Sequence, residues 1–183
     1  MSDGTGGDTG GGMSGRVHTR IICVGNRLLD SDDAGLRVHD RLARAALPPG
    51  VELIDGGLRG LDLLPLLGDC RRVVFVDAVA GFAAPGTGVV IPAATLAEEA
   101  GETAYGHPGG LGYLLAVLPA VSDGPPPEIT IVGLEQPATN AAVAEAARLC
   151  LSLLSGASLL SGDACRPSND TCGNGGRDAH AAR

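Results

Sequence analysis

Apolar and polar positions alternate along the chain in a way that predicts strands and helices in turn. Residues 20–25 (Arg-Ile-Ile-Cys-Val-Gly) are too continuously apolar for a half-exposed strand and predict a buried one. From Asp33 to Leu47 the period becomes helical. Val38, Leu42 and Ala45 or Ala46 form one stripe, widened by Leu36, Ala43 and Leu47, and Pro48-Pro49-Gly50 ends it. Val51–Asp55 predicts a second strand. Leu61, Leu64 and Leu67 keep step through a short helix or turn over 58–67, despite Pro65. Arg72–Asp77 is the clearest strand pattern and ends on a carboxylate. Thr87–Ile91 predicts a fourth strand at a sheet edge, and Pro92–Gly109 a long polar loop with Glu98, Glu99 and Glu102 on a solvated face. Gly110–Leu118 predicts an apolar helix, Ser122–Pro127 a loop and Glu128–Gly133 a fifth strand. Thr139–Leu154 predicts a last helix with Val143, Ala147, Cys150 and Leu154 on one face.

Alternating strands and helices define an α/β fold, a three-layer sandwich. Its twisted five-stranded sheet is mostly parallel, with helices on both faces. Right-handed crossovers favour the flavodoxin-like order 2-1-3-4-5, with a switch point between the first and third strands. Residues 1–17 are a Gly-rich head and 156–183 a tail of Ser, Gly, Asp, Asn and Arg. Neither has the apolar content to order itself. A single domain is expected over 18–155.

Composition narrows the function classes. The chain has 183 residues, 44% of them apolar, enough for one substantial core, but only 2% are aromatic. The formal net charge of −8 excludes a basic nucleic-acid face as the organising feature. No secretory signal and no membrane-length apolar run are visible. The five cysteines include no CxxC pair; Cys23 and Cys150 fit the core, and a cytoplasmic location is expected. Cys165 and Cys172 are read as incidental.

The chemistry gathers at the turn after the first strand, where Asp30, Asp32 and Asp33 precede the helix. A strand-to-helix turn with free N–H groups suits an anion, but this one is filled with negative charge. A nucleotide or flavin binder is therefore disfavoured. Asp32 and Asp33 also suit the N-cap and the positive end of the helix dipole. The switch point brings Asp32 to Asp77, at the end of the third strand. Two facing carboxylates repel, and a divalent cation resolves that conflict. With His107, in Gly106-His107-Pro108-Gly109-Gly110-Leu111, they make an open three-ligand set suited to zinc, nickel or manganese.

Gly25-Asn26-x-Leu28-x-x-x-Asp32-x-x-Gly35, Asp55-Gly56-Gly57, Val76-Asp77-Ala78 and His107-x-x-Gly110-Leu111 together resemble the hydrogenase maturation endopeptidases. The resemblance implies a site of Asp32, Asp77 and His107 that binds metal and carries catalysis, and a peptide cleft lined by Asp55, Gly56 and Gly57. It implies removal of a carboxyl-terminal extension from the large-subunit precursor of a nickel–iron hydrogenase. The nickel would be the substrate's own, with zinc or another divalent cation as a substitute. Whether the metal acts chemically, or one Asp is the general base of an aspartyl-type peptidase, stays open. The family's acidic pair has its first member where this chain has Ser31, so Asp33 is an alternative ligand. The competing class is a non-catalytic nickel-binding accessory protein for hydrogenase assembly. Neither reading involves a membrane or nucleic acid.

Overall fold

The computed structural model describes residues 18–102, 110–122 and 124–155. The head, the tail and His107 fall outside them. Five strands form one sheet: β1 (Thr19–Val24), β2 (Val51–Gly57), β3 (Arg72–Val79), β4 (Gly88–Pro92) and β5 (Glu128–Glu135). The helices are α1 (Ala34–Leu42), α2 (Ala93–Glu102), α3 (Leu111–Val121) and α4 (Asn140–Leu154), and Gly60–Leu67 is a 3-10 helix. Among the described residues no helix is long and apolar enough to cross a membrane.

The strand order is β2-β1-β3-β5-β4. The β2-β1-β3 half is parallel, as expected, and puts Cys23 of β1 beside Val76 of β3. The other half corrects the flavodoxin-like order. β5 lies next to β3 and parallel to it, while β4 takes the edge and runs antiparallel to β5. The physical reason is the connection. Residues 80–87 join β3 to β4 without a helix, and a parallel crossover needs a dozen or more residues. An antiparallel edge strand is what this connection permits.

The period-two alternation of the central strands splits the core into two layers. Ile21, Cys23, Val74, Val76, Val132 and Leu134 pack under α1 and α4. Ile22, Val24, Val73, Phe75 and Ile131 pack on the opposite face, against Leu63 and Leu67 of the 3-10 helix and Leu111, Leu114, Leu115 and Leu118 of α3. Cys23 and Cys150 are buried free thiols, as their pattern predicts.

Three local expectations are corrected. α1 stops at Leu42 rather than Leu47. Residues 43–46 are exposed, and the chain tightens there through bonds from Arg44 N–H to Arg41 O and Ala45 N–H to Leu42 O. The segment read as a polar loop from Pro92 is helical over Ala93–Glu102. Ala93, Leu96 and Ala97 recur at helical spacing and pack on the core layer shared with α3, and Ala, Leu and Glu favour helix. α3 continues through Pro119 to Val121.

Candidate active site

The site forms where β1 and β3 end. Gly25 leaves β1 with φ +136°, and its N–H donates to Gly57 O at 3.1 Å. The next residues make a closed loop. Asn26 N–H donates to Asp32 O at 2.8 Å, and Asp32 N–H donates to Leu29 O at 2.8 Å. The Asn26 side chain accepts from Leu28 N–H at 3.0 Å, an Asx turn that stiffens the entry. Gly25 is obligatory here, because a Cβ would lie 2.2 Å from Asp32 O. The loop thus delivers Asp32 back to the end of β1, where it began.

Asp32 and Asp77 line one cleft of about 140 Å³. Leu63, Leu111 and Leu114 form its apolar walls, and Gly57, Leu58 and Gly110 its margin. Asp77 lies on the α3 face of β3 and keeps only a little surface. Its carboxylate accepts from Ala78 N–H at 2.8 Å. Burial pushes the Asp77 carboxyl up to about 7, and the charge of Asp32 adds to this against the Ala78 N–H. Burial also raises Asp32, partly offset by the Asn26 N–H, with the charge of Asp33 adding to the rise. Neither carboxylate has an ion-pair partner among the described residues.

The other acidic residues of the region are engaged elsewhere. Asp33 occupies the N-cap position of α1 without making the side-chain cap bond expected of it. Its carboxylate meets Arg37 at 3.4 Å. Arg37 also donates to Asn140 Oδ1 at 2.6 Å, so Asp33 belongs to the α1–α4 layer, not the cleft. Asp55 is bound by Arg27 at 2.9 Å, and Arg27 forks onto Asp40 with two bonds of 3.0 Å. This pairing turns Asp55 away from the cleft lining. Gly56 packs on β1, where a Cβ would come within 2.9 Å of Val24 Cγ1, whereas Gly57 does line the cleft. His107 lies outside the described residues, and Gly110, three positions on, is at the margin. Among the described residues no three potential ligands cluster.

Glu135 has a part that sequence reasoning missed. It is buried at the end of β5, and its carboxylate accepts from the N–H groups of Gly81, Phe82 and Ala83 at 2.6, 2.9 and 3.1 Å. It thereby fixes the chain leaving β3, just beyond Asp77. An acid ending an apolar strand directly before Gln136-Pro137 was the available signal. Glu135→Gln replaces one acceptor oxygen by a donor facing N–H groups. It should cost roughly 2–3 kcal/mol, read as a lower Tm in thermal unfolding followed by circular dichroism.

The cleft lies at the carboxyl ends of β1 and β3, the position at which open α/β sheets bind ligands. Comparison with known proteins narrows the class. The family model of the hydrogenase maturation proteases matches residues 36–146. The hydrogenase 2 maturation protease of Escherichia coli K12 is 29% identical over 116 residues, covering 62% of this chain and 70% of its own. The hydrogenase expression/formation protein HupD of Rhodobacter capsulatus is 40% identical over 68 residues, 37% of this chain; the match spans about a third of its own length, 32%. Among solved structures, the hydrogenase maturating endopeptidase HybD from E. coli superposes with a TM-score of 0.61 at 26% identity, covering 77% of this chain and 94% of its own. The chain belongs to the hydrogenase maturation protease family, a family of peptidases.

Proposed function

We propose that this chain removes the carboxyl-terminal extension of a nickel-loaded hydrogenase large-subunit precursor, and that Asp32, Asp77 and His107 receive the nickel the precursor carries. The observation that carries the reading is the pair Asp32 and Asp77, converging in one cleft with no counter-charge among the described residues. Their raised carboxyls mark a site that is strained when both are ionised and relieved by a cation. Two carboxylates and an imidazole are a donor set that nickel accepts, and zinc or another divalent cation can stand in. A precursor without metal lacks the charge that reconciles Asp32 with Asp77, so binding itself checks that loading is complete. Without a cation, burial holds the Asp77 carboxyl up at about 7, and a cation in the cleft would favour its ionised, ligating form. Gly57 borders the cleft and offers backbone to a bound peptide, with Asp55 and Gly56 fixing the turn behind it.

The test is incubation with nickel-loaded and with metal-free precursor, followed by mass spectrometry of the large subunit. Shortening of the loaded form alone is the expected result. Equal cutting of both forms would remove the metal-recognition element. Tight binding without cutting would favour a non-catalytic nickel-binding accessory protein. Two variants then separate the adjacent acids. Asp32→Asn should slow processing roughly a hundredfold. Asp33→Asn, altering a carboxylate held by Arg37, should leave the rate within about threefold. The reverse ranking would make Asp33 the ligand.

A further inference from the structure

Away from the cleft, a groove of about 750 Å³ opens between α1 and α4. Three arginines line it: Arg41 in the last turn of α1, Arg44 just beyond that turn and Arg148 of α4. Leu42 and Ala147 are its buried floor, and Ala45, Ala144 and Leu151 are left partly open to solvent. Arg41 and Arg44 suit the negative end of the α1 dipole. That accounts for their charge but not for the open apolar wall beside them. Among the described residues neither has an ion-pair partner. Arg148 meets Glu145 at 3.6 Å, but that carboxylate also accepts from Gly88 N–H at 3.1 Å. In a chain of net charge −8 the groove is locally positive.

The occupant this groove fits belongs to the same chain. α4 is capped at Ser155, whose hydroxyl donates to Leu151 O at 3.3 Å, so the described chain stops one turn beyond the groove wall. Gly156 follows the cap, the position where glycine lets a chain reverse. The sequence then runs Ala157-Ser158-Leu159-Leu160-Ser161-Gly162-Asp163. Leu159 and Leu160 are the last leucines of the chain, and Asp163 is the first acid after Glu145. From Ala144 to Leu151 the wall is about 10 Å long. Extended, residues 156–163 reach up to about 26 Å, enough to turn back and follow it. An apolar pair followed by an acid matches an apolar wall lined with arginines. We propose that residues 156–163 fold back onto this groove as a strap, with Leu159 and Leu160 on the apolar wall and Asp163 among Arg41, Arg44 and Arg148. Two leucines cannot bury themselves in so polar a segment, and the groove supplies the cover. The strap ties α4 to α1, the helix that Gly35 docks onto the ends of β1 and β3. It is independent of the proteolysis proposed above.

The test is hydrogen exchange of the backbone amides of residues 159–163 in the full chain. Docking should slow them at least about tenfold relative to an unstructured peptide of the same sequence. Replacing both leucines, Leu159→Ser with Leu160→Ser, should return them to the unstructured rate. Unstructured rates in the wild type would overturn the strap. Asp163→Arg, which brings a fourth positive charge to the three arginines, should also abolish the protection, and Arg44→Glu added to it should restore part. Protection indifferent to Asp163→Arg would overturn the pairing with the arginines. The methyl signals of Ala45, Ala144 and Leu151 locate the contact. They should shift between the wild type and the double serine variant in NMR spectra. Shifts at Leu64 and Val121 instead, which line the separate cavity beside Cys70, would overturn the assignment to this groove. Protection that grows with protein concentration would seat the segment in the groove of a second copy and overturn the strap within one chain.

Discussion

Asp77→Asn is expected to abolish processing and, at the same time, to stabilise the protein at alkaline pH. The side chain sits at the cleft floor, where burial and the charge of Asp32 push its carboxyl up to about 7. In the unfolded chain the same group titrates near ~3.9. Between these values the folded form binds more protons than the unfolded one, so stability falls as pH rises through the window and levels off above it. Asparagine has no proton to lose and keeps an oxygen for the Ala78 N–H. The variant should therefore match the wild type below about pH 4 and exceed it by on the order of 2–4 kcal/mol at pH 8. Denaturant unfolding at several pH values measures this. Loss of the carboxylate should lower precursor cleavage by roughly a thousandfold. A variant as active as the wild type would remove Asp77 from the site, and equal stability at every pH would remove the electrostatic strain.

Gly35→Ala should be strongly destabilising although it adds only one methyl group inside a helix. Helix propensity alone predicts a gain of roughly 1 kcal/mol, since alanine replaces glycine within α1. Packing reverses the sign. A Cβ at this position would lie 2.2 Å from Val24 O and 2.7 Å from Val76 O, backbone atoms of the two central strands. Neither can move aside as a flexible side chain would. The expected net cost is roughly 3 kcal/mol or more, with a Tm lower by about 10 °C. Gly68→Ala is the control, because nothing lies within 4 Å of its added methyl. Gly35 docks the start of α1 onto the ends of β1 and β3, so the clash also displaces Asp32 relative to Asp77. Activity should fall further than stability alone explains, because small misplacements at a site cost rate steeply.

Much of the frame was legible because it depends on local pattern. Continuous apolar runs gave β1 and β3, and parallel pairing of those two strands placed the turn at Asp32 beside Asp77. The exchange of β4 and β5 was hidden from pattern, since apolar alternation does not record which neighbour a strand takes. The length of 80–87 did carry that information. α2 was obscured by its glutamates, although Ala93, Leu96 and Ala97 already stood at helical spacing. Within the site, the separation of Asp32 from Asp33 depends on Arg37, an i,i+4 partner that the helical spacing contained. The engagement of Asp55 was beyond sequence reasoning, because Arg27 reaches it from 28 positions away.

The closed loop between Gly25 and Asp32 has a consequence for relatives of this chain. Its two ends are joined by Asn26 N–H and Asp32 O at 2.8 Å, so residues between them can be gained or lost without moving either end. The step from Asp32 to Gly35 has no such freedom, because Gly35 is wedged against Val24 and Val76. Homologous chains of different loop length should therefore keep the acid three places before the wedged glycine, while its distance from the first glycine drifts. Counted backward in this way, Ser31 lies in the elastic part of the chain and Asp32 in the inelastic part.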